Sequence, residues 1–133
     1  VNKVDAVIGI VKKEDKFLVL HKSSTRNSMA NRWQFVAGHI EEGESARETV
    51  LREVMEETTL EIEVIKIGNN YDYYERENEI LWHITPVMCK YVSGTVRIDA
   101  EHSKFKWATI KEIKELDFTP MAMEQLDQFG YKI

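Results

Sequence analysis

The chain has 133 residues, of which 43% are hydrophobic and 31% charged, and it carries a formal net charge of −5. That length suits one domain spanning 1–133, and the composition excludes disordered and fibrous classes. The acidic balance leaves no electrostatic footprint for duplex DNA or RNA, so an acidic protein that handles phosphates needs cations between the two.

No apolar run reaches the roughly 18 residues that cross a bilayer, so no membrane partner is expected. No charged stretch followed by an apolar one opens the sequence, so no secretory leader is expected either. The single cysteine, Cys89, has no partner for an internal disulfide and suits a reducing compartment, here expected to be the cytoplasm. Its apolar, strand-like surroundings predict a buried, inert thiol.

Taken in chain order, VDAVIGIVKK (4–13) is rich in β-branched residues and predicts a strand. A polar turn at Lys13–Lys16 returns the chain as KFLVLHK (16–22), forming a hairpin. SSTRNSMANR (23–32) lacks periodicity and reads as a loop. WQFVAG (33–38) is a short strand; residues 38–43 form a loop and Glu44 to about Thr58 a helix. LEIEVIKIG (60–68) alternates as a strand does. Tyr71-Asp72-Tyr73-Tyr74 precedes a charged turn, ERENE (75–79), and ILWHITPVMCKYV (80–92) is a long strand closed by a turn at Ser93-Gly94. KFKWATI (104–110) reads as a last strand. KEIKELDF (111–118) and PMAMEQLDQFG (120–130) read as two short helices, with Pro120 at a first helical position. This order predicts an α/β (α+β) domain with a central mixed sheet packed by helices.

The helix at 44–58 poses an electrostatic problem. At 3.6 residues per turn, Ala46, Val50, Val54 and Thr58 share one side and should face the sheet. Glu53, Glu56 and Glu57 then crowd an adjoining arc, where like charges repel. Arg52 lies beside that arc and can pair with Glu48 or Glu56. By itself an acidic run is usually a solvated face. A cluster of hard oxygen ligands is also what Mg²⁺ or Mn²⁺ prefers, and a bound dication turns the repulsion into attraction.

The spacing supports the second reading. Gly38, Glu44, Arg52, Glu53, Glu56 and Glu57 stand as G-x5-E-x7-R-E-x2-E-E, with Val54 and Leu60 at the bulky aliphatic positions. A chance match of the six fixed residues is on the order of 10⁻⁶ per starting position at this chain's composition. The pattern resembles the signature of the Nudix hydrolase family, G-x5-E-x7-R-E-U-x-E-E-x-G-U, where U is a bulky aliphatic. The run Trp33–Gly38 and the later Glu101-His102 before an aromatic strand are also similar to the family. One position departs: the last Gly is Thr59 here, at a helix exit that often takes a left-handed residue.

The resemblance implies an α/β/α sandwich and a hydrolase acting on a nucleoside diphosphate linked to another group, with Mg²⁺ or Mn²⁺. By matching positions, Glu53 and Glu57 are the principal metal ligands, with Glu56 and the carbonyl of Gly38 joining them. Arg52 and Glu44 hold the acids in place, with Glu41 near enough to assist. The base that takes the water's proton is Glu56 or Glu101. For substrate, Phe35 and Tyr74 are candidate stacking residues among the aromatics Tyr71, Tyr73 and Trp82. Arg26 and Arg32, with Lys22, are candidate phosphate contacts. The histidines show no zinc spacing and read as structural or surface residues.

Trp33-Gln34-x-Val36-x-Gly38 with Glu57-Thr58-Thr59 is similar to the branch acting on dihydroneopterin triphosphate and nucleoside triphosphates. The expected reaction is release of monophosphate and pyrophosphate from a (deoxy)nucleoside or pterin triphosphate. Dinucleoside polyphosphate hydrolysis is the alternative, on the tyrosine downstream of the box. A non-catalytic nucleotide-binding module is a third reading, against which the three intact acids argue. Family members are commonly dimers, so a homodimer is an expectation.

Overall fold

The structure is a computed structural model that describes residues 2–22, 31–100 and 102–131. Among the described residues the chain forms β1 (Asn2–Lys13), β2 (Lys16–Lys22), β3 (Trp33–Gln34), β4 (Val36–His39), α1 (Ala46–Thr58), β5 (Glu61–Ile67), β6 (Tyr71–Glu75), β7 (Ile80–Ser93), β8 (His102–Ala108), α2 (Ile110–Glu115) and α3 (Ala122–Gln128).

The eight strands make one mixed sheet. β1 and β7 run parallel at its centre, in register from Asn2↔Ile80 to Lys12↔Lys90, and every other pairing is antiparallel. Each central strand shares its outer edge between two partners. β1 pairs with β4 over Ala6–Gly9 and with β2 only at Lys12 and Lys13. β7 pairs with β6 over Ile80–Ile84 and with β5 from Val87 onward. Pro86, which has no N–H to donate, stands where β7 changes partner.

Strand alternation sorts the core into two layers. Val7 and Val11, Leu18 and Leu20, and Val87 and Cys89 point to one face, where Val50 and Val54 of α1 meet them. Ile10, Phe17, Val19 and Met88 point to the other, against Ile113 of α2 and Ala122 and Leu126 of α3. This is the α/β/α sandwich. Gly9 lets α1 sit close: a Cβ there would lie 2.7 Å from Val50 Cγ2. Cys89 is buried among apolar side chains, which push its thiol up to about 12.

Three local expectations shift. The helix begins at Ala46 rather than Glu44, because Ser45 caps it: Ser45 Oγ accepts from the Glu48 N–H and Glu48 accepts from the Ser45 N–H. Glu48 is thereby committed to the cap and does not pair with Arg52. Pro120 lies in the turn before α3, and Met121, in the left-handed region at φ 73°, caps that helix. Thr59 does take the left-handed exit conformation, at φ 63°. Its N–H donates to the Met55 carbonyl and its hydroxyl to the Thr95 carbonyl, 2.9 Å away. No helix is long and apolar enough to cross a membrane among the described residues.

Candidate active site

A cleft of about 710 Å³ opens on the sheet face that carries Ala6 and Ile8 of β1. Its floor follows from register. Residues directly across a sheet share a face, so Ala6, Ile84 and His39 lie in one row and Trp82 and Tyr73 in the next. All five line the cleft, and the His39 ring packs tilted on Trp82 at 5.6 Å between centroids. Trp82 donates its indole N–H to buried Glu75, at 3.3 Å.

The acidic wall comes from α1. Glu53, Glu56 and Glu57 all face the cleft, as the helical arc predicts. Glu57 is 7% exposed and Glu56 57%, so a single residue step around the helix carries an acid from the buried edge to solvent. Glu53 packs over Gly38 so tightly that a Cβ on that glycine would lie 2.2 Å from Glu53 Cδ.

Arg52 ties this wall together. Its Nε and Nη2 donate to the two oxygens of Glu44, each at 2.8 Å. Its Nη1 donates to Glu53 at 2.8 Å and to Glu56 at 3.3 Å, and Nη2 reaches the His39 carbonyl at 3.2 Å. Glu41 stands 3.6 Å away. Glu44 also accepts from the Glu41 N–H and the Thr49 hydroxyl. The Arg52 fork, above all, holds the Glu44 carboxyl down at about 2, and the same contact pushes the guanidinium up.

The third side of the cleft is assembled from residues distant in sequence. His102 enters from the start of β8 and Asp99 from the segment before it, Gln34 from β3, and Gln125 from α3, where its amide donates to the Tyr71 hydroxyl. Burial raises the Tyr71 phenol above its ordinary value. Lys22, at the end of β2, also lines the cleft.

Among the described residues no three acid, imidazole or thiol groups enclose a point as a finished metal cage does, and Arg52 Nη1 bridges Glu53 and Glu56. The donor set nonetheless fits a hard dication: Glu53, Glu56 and Glu57 face one cleft beside Gly38, whose missing Cβ makes room for Glu53.

Against the known families, residues 2–129 match the NUDIX domain. The chain belongs to the Nudix family. It is 25% identical to a CTP pyrophosphohydrolase of Escherichia coli K12 over 132 residues, covering 95% of this chain and 90% of that one. It is 29% identical to an asymmetrical bis(5'-nucleosyl)-tetraphosphatase of Sus scrofa over 107 residues, covering 76% and 69%. Among solved structures, a MutT protein from Methanosarcina mazei Go1 superposes with a TM-score of 0.84 at 22% identity, covering 96% of this chain and 93% of that one. The fold is shared, and this Nudix chain is a hydrolase of phosphate anhydrides.

Of the Nudix signature residues, Arg52 bonds Glu44, Glu53 and Glu56 into one network, Gly38 packs under Glu53, and Glu57 lines the same cleft. Other expected residues lie elsewhere. Phe35 is buried edge-on against Phe118 in the α2–α3 core and has no surface for a ligand. Tyr74 pairs with Leu81, on the sheet face opposite Tyr73, and is exposed away from the cleft. Arg32 is half-buried before β3 and is not in the cleft wall. Arg26 and Glu101 lie outside the described residues. His39 and His102, expected at the surface or in structural roles, line the cleft. Of the residues that sequence reasoning passed over, Asp99 and Gln125 leave no local signal, and Gln34 entered only as part of the Trp33–Gly38 run. Tyr73 and Trp82 stood among the aromatics, and strand parity alone selects them.

Proposed function

We propose that this Nudix hydrolase is a divalent-cation-dependent pyrophosphohydrolase. It splits a (deoxy)nucleoside triphosphate, or a similar pterin triphosphate, into monophosphate and pyrophosphate. The observation that carries this reading is one cleft lined both by the Arg52-tethered acids at Gly38 and by the flat rings of Tyr73 and Trp82. Acids of that kind suit a cation-bridged diphosphate, and flat rings suit a heteroaromatic base. The CTP pyrophosphohydrolase similarity over nearly the whole of both chains supports the triphosphate class.

Glu53 and Glu57, with Glu56 and the Gly38 carbonyl, would hold Mg²⁺ or Mn²⁺. Bound there, the cation neutralises pyrophosphate charge and makes a water molecule more acidic. Arg52 keeps the acids aligned by donating to Glu44 and Glu53 at once. Glu56, exposed at the cleft mouth, is one candidate to take the proton of the attacking water; Glu101 is the other. Lys22 offsets phosphate charge, and Trp82 and Tyr73 receive the base. We further assign the protein to the cytoplasm, on its single cysteine, which has no partner for an internal disulfide, and to a homodimer, on the family resemblance.

A second reading is dinucleoside polyphosphate hydrolysis, favoured by the similarity to the Sus scrofa tetraphosphatase. One screen tests both. Pyrophosphate and nucleotide products are followed across nucleoside triphosphates, a pterin triphosphate and dinucleoside tetraphosphates, with and without Mg²⁺ or Mn²⁺. Cation-dependent pyrophosphate release from a triphosphate is expected, lost by orders of magnitude in Glu53→Gln and Glu57→Gln. Preferred turnover of dinucleoside tetraphosphates establishes the second reading. Near-native rates in both variants would refute the assignment of the acids.

A further inference from the structure

Gln125 on α3 is 3% exposed, yet it lines the cleft. Its Nε2 donates to the Tyr71 hydroxyl. Its Oε1 takes no hydrogen bond among the described residues and is not sealed beneath other atoms. A side chain this deeply buried therefore offers the cleft one open polar atom, which a donor on a ligand would satisfy. Tyr71 sets which end of the amide faces out. Burial, and then the nearby charge of Glu124, keep the phenol protonated. The same charge draws the hydroxyl proton toward itself, which turns the phenol's lone pairs to the amide nitrogen. The amide oxygen is left facing the cleft as an acceptor.

Strand register places that oxygen. His39, Ala6, Ile84 and Tyr71 lie in one row across β4, β1, β7 and β6. At about 4.8 Å between strands, Tyr71 stands roughly 14 Å along the row from His39. Gly38 and Glu53 mark the His39 end, and Gln125 sits over the Tyr71 end. Tyr73, two residues along β6 on the same face, gives a flat ring there. A nucleotide with its phosphates on the acids brings its base toward Gln125.

We propose that Gln125 is a specificity-determining residue whose amide oxygen accepts from the exocyclic amino group of the substrate's base. The favoured substrates are then cytosine and adenine nucleotides. Uracil and hypoxanthine carry a carbonyl oxygen in place of that amine, and two acceptors face to face repel. The inference rests on the reading of the cleft as a nucleotide site and adds which bases it admits. A glutamine that merely fastened α3 to β6 would change the melting temperature and leave the choice of base untouched.

The test is titration calorimetry with two pairs of nucleoside monophosphates that differ in this one group, CMP against UMP and AMP against IMP, with thermal melting on each protein. The wild type should bind the amino member of at least one pair about 10-fold more tightly than its partner. Gln125→Leu should erase that difference. Equal binding of both members by the wild type, or an amino preference kept by folded Gln125→Leu, overturns the inference. A preference for UMP or IMP also overturns it, by showing the amide nitrogen at the cleft. If Gln125→Leu does not fold, Tyr71→Phe carries the test. It frees the amide to turn, so the preference should shrink, and an unchanged preference overturns the inference. A wild type that binds none of the four overturns the nucleotide reading and the inference with it. Selective binding without cation-dependent hydrolysis of any triphosphate overturns the reading of the acids and leaves the base preference standing.

Discussion

Gly38→Ala separates packing from chemistry in this protein. The Gly38 backbone is not in the left-handed region, so alanine meets no backbone strain there. Its Cβ, however, would lie 2.2 Å from Cγ and Cδ of Glu53, against an ordinary contact of 3.4 Å or more. The Glu53 side chain must therefore retreat by about 1.2 Å, and Arg52, at 2.8 Å, must follow or lose it. A misplacement of about 1 Å at a reacting centre lowers turnover by roughly 10²-fold, while overpacking of this size costs about 1–3 kcal/mol. The assay is kcat on the best triphosphate across a Mg²⁺ titration, beside thermal melting. Gly43→Ala is the control. Gly43 has φ +83° and nothing within 4 Å of a Cβ, so alanine strains the loop by roughly 1–2 kcal/mol without touching an acid. Gly38→Ala should lose turnover and Gly43→Ala should lose stability alone. Native kcat and native Mg²⁺ dependence in folded Gly38→Ala would refute the reasoning.

The Glu44 carboxyl, held at about 2 against an ordinary 4.5, contributes stability that is complete above about 4.5 and fades as pH falls toward 2. Urea midpoints measured against pH should flatten in that window for Glu44→Gln. Glu112, held equally low by the Thr109 cap and Lys106, should leave part of the slope behind. Thr59→Ala keeps the left-handed exit but loses the hydroxyl bond to Thr95. A loss of about 0.5–1.5 kcal/mol in chemical denaturation is expected, with turnover unchanged; a large activity loss would show that the exit geometry reaches the acids. The Cys89 thiol, buried and pushed up to about 12, should resist a disulfide reagent in native buffer and react at once in denaturant.

What the sequence could determine by itself is local in origin. The acids of α1 lie within five residues on one helix, so helical periodicity alone puts Glu53, Glu56 and Glu57 on a common arc, and spacing adds Gly38, Glu44 and Arg52. The Ser45–Glu48 capping box was legible too, as S-x-x-E before a helical run, and reading it would have moved the start of the helix to Ala46. Tertiary structure decided the rest of the cleft. Tyr73 and Tyr74 are chemically alike, and a one-residue change of register turns one into a cleft wall and the other outward. That choice depends on β6 pairing with β7, and on β7 running parallel to β1 from nearly eighty residues away. Phe35 reads as a flat ring near the box until the break between β3 and β4 turns it into the α2–α3 core. Asp99, His102 and Gln34 converge only because β8 and β3 both pair with β2. Helical neighbours are set by covalent spacing, whereas sheet neighbours are set by which strands find each other, and no short stretch of sequence records that.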